Sequence, residues 1–188
     1  MRKLAVFNNV SLDGYFTDKN NDMSWVYNVS PDAEWDVFVA GNASGEGVLL
    51  FGRKTYELMA GYWPTPMAAQ QMPEVALGMN RMPKIVFSNT MDKASWNNTK
   101  LVKSDPAAEI RKMKKESGPD MVILGSGSIV AQLAGEGLID EYQFVVVPVV
   151  LGGGRTMFEG VWERLKLKLA QSRTFRNGKV FLSYETAA

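Results

Sequence analysis

The sequence predicts an α/β domain: a mixed, mostly parallel sheet with helices on both faces and an antiparallel hairpin at its C-terminal end. Three observations carry this reading. Short apolar runs alternate with helical segments as far as Gly135 and Gly137, the pattern of parallel strands joined by crossover helices. Two of these runs, Val48-Leu49-Leu50-Phe51 and Met121-Val122-Ile123-Leu124, lead into glycine-bearing segments that open helices. The chain then changes character, and Asn177-Gly178 stands between two strand-like segments, the strongest short-range hairpin signal present.

Taken in order, Lys3 to Val10 is compact and apolar, a buried first strand, and Asp13-Gly14 within Ser11 to Phe16 marks a turn. Residues 17–30 are polar with Trp25 and Tyr27 embedded, and read as a long loop of the kind that often carries function. Ser30 as N-cap and Pro31 at the first helical position predict a helix with Trp35, Phe38 and Val39 as its apolar face. Val48 to Phe51 is a short buried strand and Lys54 to Ala60 a short helix. Pro64, Pro66, Pro73 and Pro83 bound or interrupt a helix from Met67 to Met79. Lys84 to Ser88 and Thr99 to Lys103 are strands; Ser104-Asp105-Pro106 begins a helix that stops at Gly118-Pro119. Met121 to Leu124 is a strand and Ser128 to Ala134 a helix. Glu141 to Leu151 reads as one long apolar strand, with Pro148 marking a bulge or a sheet edge. Gly152-Gly153-Gly154 is a loop, and Leu165, Leu167 and Leu169 alternate with Lys166 and Lys168 as in a half-buried strand. Thr174 to Arg176 and Lys179 to Tyr184 form the arms of the hairpin.

Composition narrows the chemistry. A chain of 188 residues suits one sizeable domain, expected over residues 1–188. Its 46% hydrophobic and 22% charged residues are ordinary globular values. A formal net charge of +1 leaves no electrostatic case for nucleic acid or a membrane surface, and Arg111-Lys112-Met113-Lys114-Lys115 reads as a solvated helix face. Cysteine is absent, which removes disulfides and thiolate chemistry. Histidine is absent too, which removes a Ser-His-Asp triad, a histidine base and the usual metal sites. No apolar run reaches the roughly 18 residues of a membrane span. Met1-Arg2-Lys3 leads directly into a strand-like segment instead of a signal peptide, so a cytoplasmic protein is expected.

A glycine at a strand-to-helix junction permits a sharp turn and lets an anion approach the free N–H groups of the first helical turn. Two such junctions could hold the two halves of a dinucleotide, which makes a nucleotide-dependent enzyme the leading expectation. At Gly52-Arg53-Lys54-Thr55-Tyr56-Glu57 the chain resembles dihydrofolate reductase, and the similarity extends in order through Ser88-Asn89, Val102-Lys103-Ser104 and Gly125-Ser126-Gly127. Ser11-Leu12-Asp13-Gly14, Leu138-Ile139-Asp140-Glu141 and Pro148 to Gly154 are more similar to a sister family. That family is the C-terminal reductase domain of the bifunctional riboflavin-biosynthesis deaminase/reductase, with its stand-alone relatives. The resemblance implies a dihydrofolate-reductase-like sheet, an NADPH cofactor and a homodimer. The deaminase half needs a zinc site of histidine and cysteine ligands, which this chain lacks, so the implied relation is to the reductase half alone.

Carried over position by position, the resemblance puts the cofactor's phosphates at Gly52, Arg53, Lys54 and Thr55, and its pyrophosphate on the N–H groups of Ser126, Gly127, Ser128 and Ile129, with Gly125 also among the cofactor-binding residues. Both segments also read as ordinary helix starts. Ser88, Asn89 and Lys103 are expected at the ribose and its 2′-phosphate, which would favour NADPH over NADH, and Gly153 close to the bound cofactor. Asn9, Asp13, Gly14 and Trp25 are expected on the substrate side. Asp32, three residues before Trp35, matches the acidic residue that holds the pterin in dihydrofolate reductase; it equally suits a first-turn acid facing the helix dipole. Asp32 and Asp13 are thus the catalytic candidates, and no metal is expected. Tyr15, Trp25, Tyr62 and Trp63 could stack a planar ring or serve as core.

The expected function is NADPH-dependent hydride transfer to a small heterocyclic substrate of pteridine, folate or ribityl-aminopyrimidine type. Two alternatives remain: a ligand-binding protein of this fold without turnover, and a structural homodimer joined through Phe144 to Leu151.

Overall fold

The structure, a computed structural model, describes residues 1–187. In chain order its elements are β1 (Leu4–Ser11), β2 (Tyr15–Thr17), a 3-10 turn (Ser24–Tyr27), α1 (Ala33–Ala43), β3 (Val48–Gly52), α2 (Arg53–Tyr62), α3 (Pro66–Gln71), α4 (Pro73–Arg81), β4 (Lys84–Phe87), β5 (Thr99–Val102), α5 (Pro106–Lys115), β6 (Met121–Leu124), α6 (Gly127–Gly135), β7 (Glu141–Val147), β8 (Arg155–Thr156), β9 (Leu167–Thr174) and β10 (Val180–Thr186). Eight strands form one sheet in the order β5-β4-β3-β6-β1-β7-β10-β9, and β2 and β8 form a separate ribbon. From β5 to β7 all neighbours are parallel; β10 runs antiparallel to β7 and to β9. The expected mixed sheet with a C-terminal hairpin is therefore the observed one.

Side-chain alternation decides what covers each face. Leu4 and Val6 of β1, Leu50 of β3 and Ile123 of β6 point to α5 and α6, where they meet Ile110, Ile129 and Leu133. Their neighbours Leu49 and Phe51 point the other way, to Tyr56 of α2 and to Val75 and Met79 of α4. Beyond β1 that second face belongs to α1, whose Trp35 and Phe38 cluster with Phe175 and Phe181 near the hairpin. Among the described residues no helix is long and apolar enough to cross a membrane.

Three local expectations are corrected. The cap of α1 is Asp32, not Ser30: its side chain accepts from the N–H groups of Glu34 and Trp35. Pro31 and Asp32 are not helical, and Asp32 is extended at φ −150° and ψ 107°, so the helix starts at Ala33. β7 ends at Val147 because Pro148 has no N–H to continue the ladder. Residues 17–30 are not an open loop, since Trp25 and Val26 are buried against Val145 and Val147. The helical stretch over Met67 to Met79 is interrupted by a proline as expected, with Met72 at φ −140° and ψ 66° as the break before Pro73.

α1 is held at its ends. The aromatic cluster fixes its first turns, and its last residue, Ala43, meets α4 at Gly78. A Cβ at Gly78 would stand 2.0 Å from the Ala43 carbonyl oxygen, whereas one at Gly41 would meet nothing within 4 Å. The two helical glycines therefore respond oppositely to the same change. Gly41→Ala raises the unfolding free energy by about 0.5–1 kcal/mol, the usual gain over glycine in a helix. Gly78→Ala lowers it by about 1–3 kcal/mol through overpacking. Urea unfolding of the two variants beside the parent protein measures both.

Candidate active site

The two glycine junctions are neighbours in space. β3 and β6 are adjacent parallel strands, so Gly52 and Gly125 lie side by side at the same edge of the sheet. Ser126 ties them: its Oγ accepts the Gly52 N–H at 2.9 Å and donates to the Leu124 carbonyl, while its own N–H donates to Thr55 Oγ1 at 3.0 Å. Gly125 is bonded in both directions to Asn8 of β1, its N–H to Oδ1 at 2.7 Å and its carbonyl from Nδ2 at 3.3 Å. The connection through α2 leaves β3 toward β4, and that through α6 leaves β6 toward β7. Helices that diverge from adjacent strand ends open a crevice there, the usual ligand position in such sheets.

Neither helix at this crevice has a side-chain cap. At α6 the Ile129 N–H goes to the Ser126 carbonyl and the Ser126 N–H to Thr55, so Gly127 and Ser128 hold the first-turn backbone donors left without a partner among the described residues. The same edge carries Ser88 and Asn89 after β4 and Lys103 after β5. At the ordinary strand spacing the row from β5 to β6 covers about 15 Å. Arg53 donates to Thr90 Oγ1 and lies 3.5 Å from Glu57, while Ser88 Oγ accepts from the N–H groups of Thr90 and Met91.

Beside the crevice a cavity of about 650 Å³ runs along the sheet face beneath α1, from Thr55 and Gly125 toward Asp120 and Glu141 at the opposite edge. Asn9 of β1 lines it, and its buried Oδ1 has no hydrogen-bond partner. Trp63, Val39 and several methionines supply apolar wall. Among the described residues no group of three carboxylates or other ligands converges to hold a metal ion.

The family model of the RibD C-terminal domain matches residues 2–181. The chain belongs to that family. It is 30% identical over 175 residues to the uncharacterized protein YyaP of Bacillus subtilis (strain 168), covering 93% of this chain and 90% of the relative. A Shewanella sp. PV-4 protein named for riboflavin biosynthesis shares the fold, with a TM-score of 0.75 at 23% identity and 99% of each chain covered. So does the diaminohydroxyphosphoribosylaminopyrimidine deaminase/5-amino-6-(5-phosphoribosylamino)uracil reductase of Thermotoga maritima, with a TM-score of 0.68 at 13% identity, over 99% of this chain and 57% of that one.

In this RibD-type domain several expected site residues do structural work. Asp13 accepts from Ser11 Oγ and from the N–H groups of Leu151 and Gly152, so it brackets the first turn to the glycine loop. The Ser11 hydroxyl and these backbone donors hold its carboxyl below the usual range. Gly14 adopts φ +87° in that turn. Trp25 does not line the main cavity; it is buried in the cluster with Phe175 and Phe181, its Nε1 donating to the Asp22 carbonyl. Gly153 and Gly154 press on the segment after β2: a Cβ at 153 would meet the flexible Lys19 side chain, but one at 154 would stand 1.9 Å from the Thr17 carbonyl oxygen. The rigid requirement is thus at Gly154.

Asp32 lines the cavity, but its oxygens are engaged. Oδ1 caps α1, and Oδ2 accepts the N–H of Asn177 in the hairpin turn at 3.0 Å. Burial pushes its carboxyl upward, but the N–H groups of Asn177, Trp35, Glu34 and Arg176 outweigh it and hold it below the usual range. The turn so fastened carries Lys179, which sequence reasoning missed because Asn-Gly-Lys reads as a solvated turn. Lys179 is only 2% exposed, lines the cavity, and sets its Nζ 4.0 Å from the Trp35 ring centroid. Burial lowers its ammonium to about 8, opposed in part by the charge of Asp36.

A lysine depressed from 10.5 to about 8 binds fewer protons in the fold than in the unfolded chain across that interval. Stability therefore rises with pH from about 8 toward 10.5 on account of Lys179, at up to about 1 kcal/mol per pH unit. Urea unfolding at pH 8 and 10 should give Lys179→Met a smaller rise than the parent protein; equal rises would disprove the assignment.

Proposed function

We propose that this chain is an NADPH-dependent reductase that passes a hydride to a C=N or C=O group of a small heterocyclic substrate. The observation that carries the proposal is the pair of uncapped helices, α2 and α6, locked side by side at the β3–β6 divergence and opening onto the cavity. Membership of the RibD C-terminal domain family supports a reductase-type role.

The residues present suit the cofactor. Arg53 and Lys54 bring positive charge to the N-terminus of α2, and Gly127 and Ser128 hold backbone donors at the N-terminus of α6, a combination that favours phosphate oxygens. Ser88, Asn89 and Lys103, farther along the edge, suit a 2′-phosphate. NADPH would supply the hydride; the protein orients the two reactants and keeps water from the substrate. On the substrate side Asn9 offers the unpartnered amide oxygen to a ring N–H.

The engaged oxygens of Asp32 and Asp13 favour a second reading, a protein that binds the nucleotide without turnover. Saturable NADPH binding with no oxidation across a pterin and pyrimidine panel would select it.

The cofactor assignment is tested at Ser128. Proline is tolerated in the first turn of a helix, and the preceding Gly127 has no Cβ to clash with its ring. Ser128→Pro therefore removes one phosphate donor while α6 remains formed. It should weaken NADPH binding by about tenfold, roughly the worth of one charge-assisted hydrogen bond. Ser128→Ala should bind as the parent does. Fluorescence titration of NADPH with thermal unfolding of the same samples measures both, and equal affinity of all three proteins would refute the cradle.

A further inference from the structure

Lys179 is unlike the other buried lysine. Lys84 is 1% exposed, and its Nζ donates to the carbonyls of Asn80, Met82 and Asn97. Lys179 is as deeply placed, yet among the described residues its Nζ makes no hydrogen bond or salt bridge; its near neighbour is the face of Trp35. The carboxylates around it are committed or exposed. Asp32 accepts backbone N–H groups with both oxygens, Glu141 Oε1 accepts from Gln143 and Ser183, and Asp36, exposed at the cavity wall, acts on the lysine through its charge without forming a salt bridge to it. The other lysine on the cavity wall, Lys3, is exposed at the far edge of the sheet.

The side chain is buried but its Nζ opens on the cavity, and the three N–H groups need acceptors there, because a cation–π contact satisfies charge without satisfying donors. The free direction from Lys179 is the cavity. The walls there are largely apolar, and six methionines, Met23, Met59, Met72, Met79, Met82 and Met121, line the cavity. Unbranched, polarizable side chains adapt to ligands of different outline.

We infer that Lys179 is a substrate-binding residue, and that the cavity takes planar, mainly apolar molecules carrying one anionic oxygen group that the ammonium receives. Asp32 is the positioning residue of this arrangement. Through Trp35 N and Asn177 N it fastens the helix that carries the ring to the turn that carries the lysine. The inference rests on the reductase reading only for what happens to the bound molecule afterwards; the recognition itself requires no NADPH.

The test uses two probes of one shape: anilinonaphthalene sulfonate, which is anionic, and its neutral parent phenylnaphthylamine. The unmodified protein should bind the sulfonate saturably, one molecule per chain, at least about tenfold tighter than the neutral probe. Lys179→Met should erase that preference, weakening the sulfonate by about tenfold or more and leaving the neutral probe unchanged or tighter; Lys179→Arg should retain it. Near-ultraviolet circular dichroism checks the fold of each variant. Absence of a preference in the unmodified protein, or equal weakening of both probes by Lys179→Met, would overturn the inference, and the first arm needs no variant. NADPH titrated into the same proteins separates the two claims: sulfonate bound through Lys179 without NADPH binding leaves this inference standing and removes the reductase reading.

Discussion

Ser126 holds the working edge of the sheet together. Its backbone is left-handed, at φ 60° and ψ 47°, a conformation that costs a residue with a side chain about 1–2 kcal/mol. That conformation aims its N–H at Thr55 and its Oγ between Gly52 and Leu124, and three hydrogen bonds of about 1 kcal/mol each outweigh the strain. Gly125, at φ +58°, is the partner in this turn; a Cβ there would approach the Thr55 methyl to 2.7 Å. The lock determines which groups remain free. By consuming the Ser126 and Ile129 N–H groups internally, it leaves Gly127 and Ser128 with the first-turn donors of α6 that have no partner among the described residues.

Asp32 does the corresponding work on the other side of β1. One carboxylate caps α1, accepts the hairpin turn and borders the cavity. With the aromatic cluster at one end of α1 and the Ala43–Gly78 approach at the other, the helix is propped at its ends over the middle of the sheet. Ala5 and Phe7, which a closely seated helix would cover, instead line the cavity. The open volume is thus a consequence of where α1 is pinned. The edge at Gly52 and Gly125 has its own lock in Ser126, and the two can be disturbed separately.

The strands and the glycine junctions were legible because they rest on local signals. Period-two alternation separates Leu4 and Val6 from Ala5 and Phe7, and each glycine follows an apolar run directly. What escaped depends on partners distant in sequence. Whether Ser30 or Asp32 caps α1 turns on Asn177, far along the chain, which gives the aspartate a further bond that the serine does not make. Trp25 reads as a loop aromatic free to stack a substrate until β7 and the hairpin arrive to bury it. Asp13 and Asp32 were recognised as special carboxylates, but a chemical role and a bracketing role use the same side chain, and only the bonds from Gly152 and Asn177 distinguish them. Lys179 gave no local sign at all, since a lysine after Asn-Gly is ordinary on a surface and becomes unusual only beneath Trp35.

The Gly125 turn and the cavity meet at two consecutive amides, Asn8 and Asn9. Neighbouring residues of a strand lie about 3.3 Å apart along it and face opposite sides of the sheet. Asn8 therefore reaches toward β6, where both ends of its amide are used on Gly125, and Asn9 turns into the cavity, where its oxygen is buried without a partner. The first amide fixes the backbone of the Gly125 turn; the second meets whatever lies beneath α1. A hydride can pass only between groups in contact, so a reductase built on this sheet must bring both reactants to one strand end. β1, flanked by β6 on one side and β7 on the other, is the strand that reaches both.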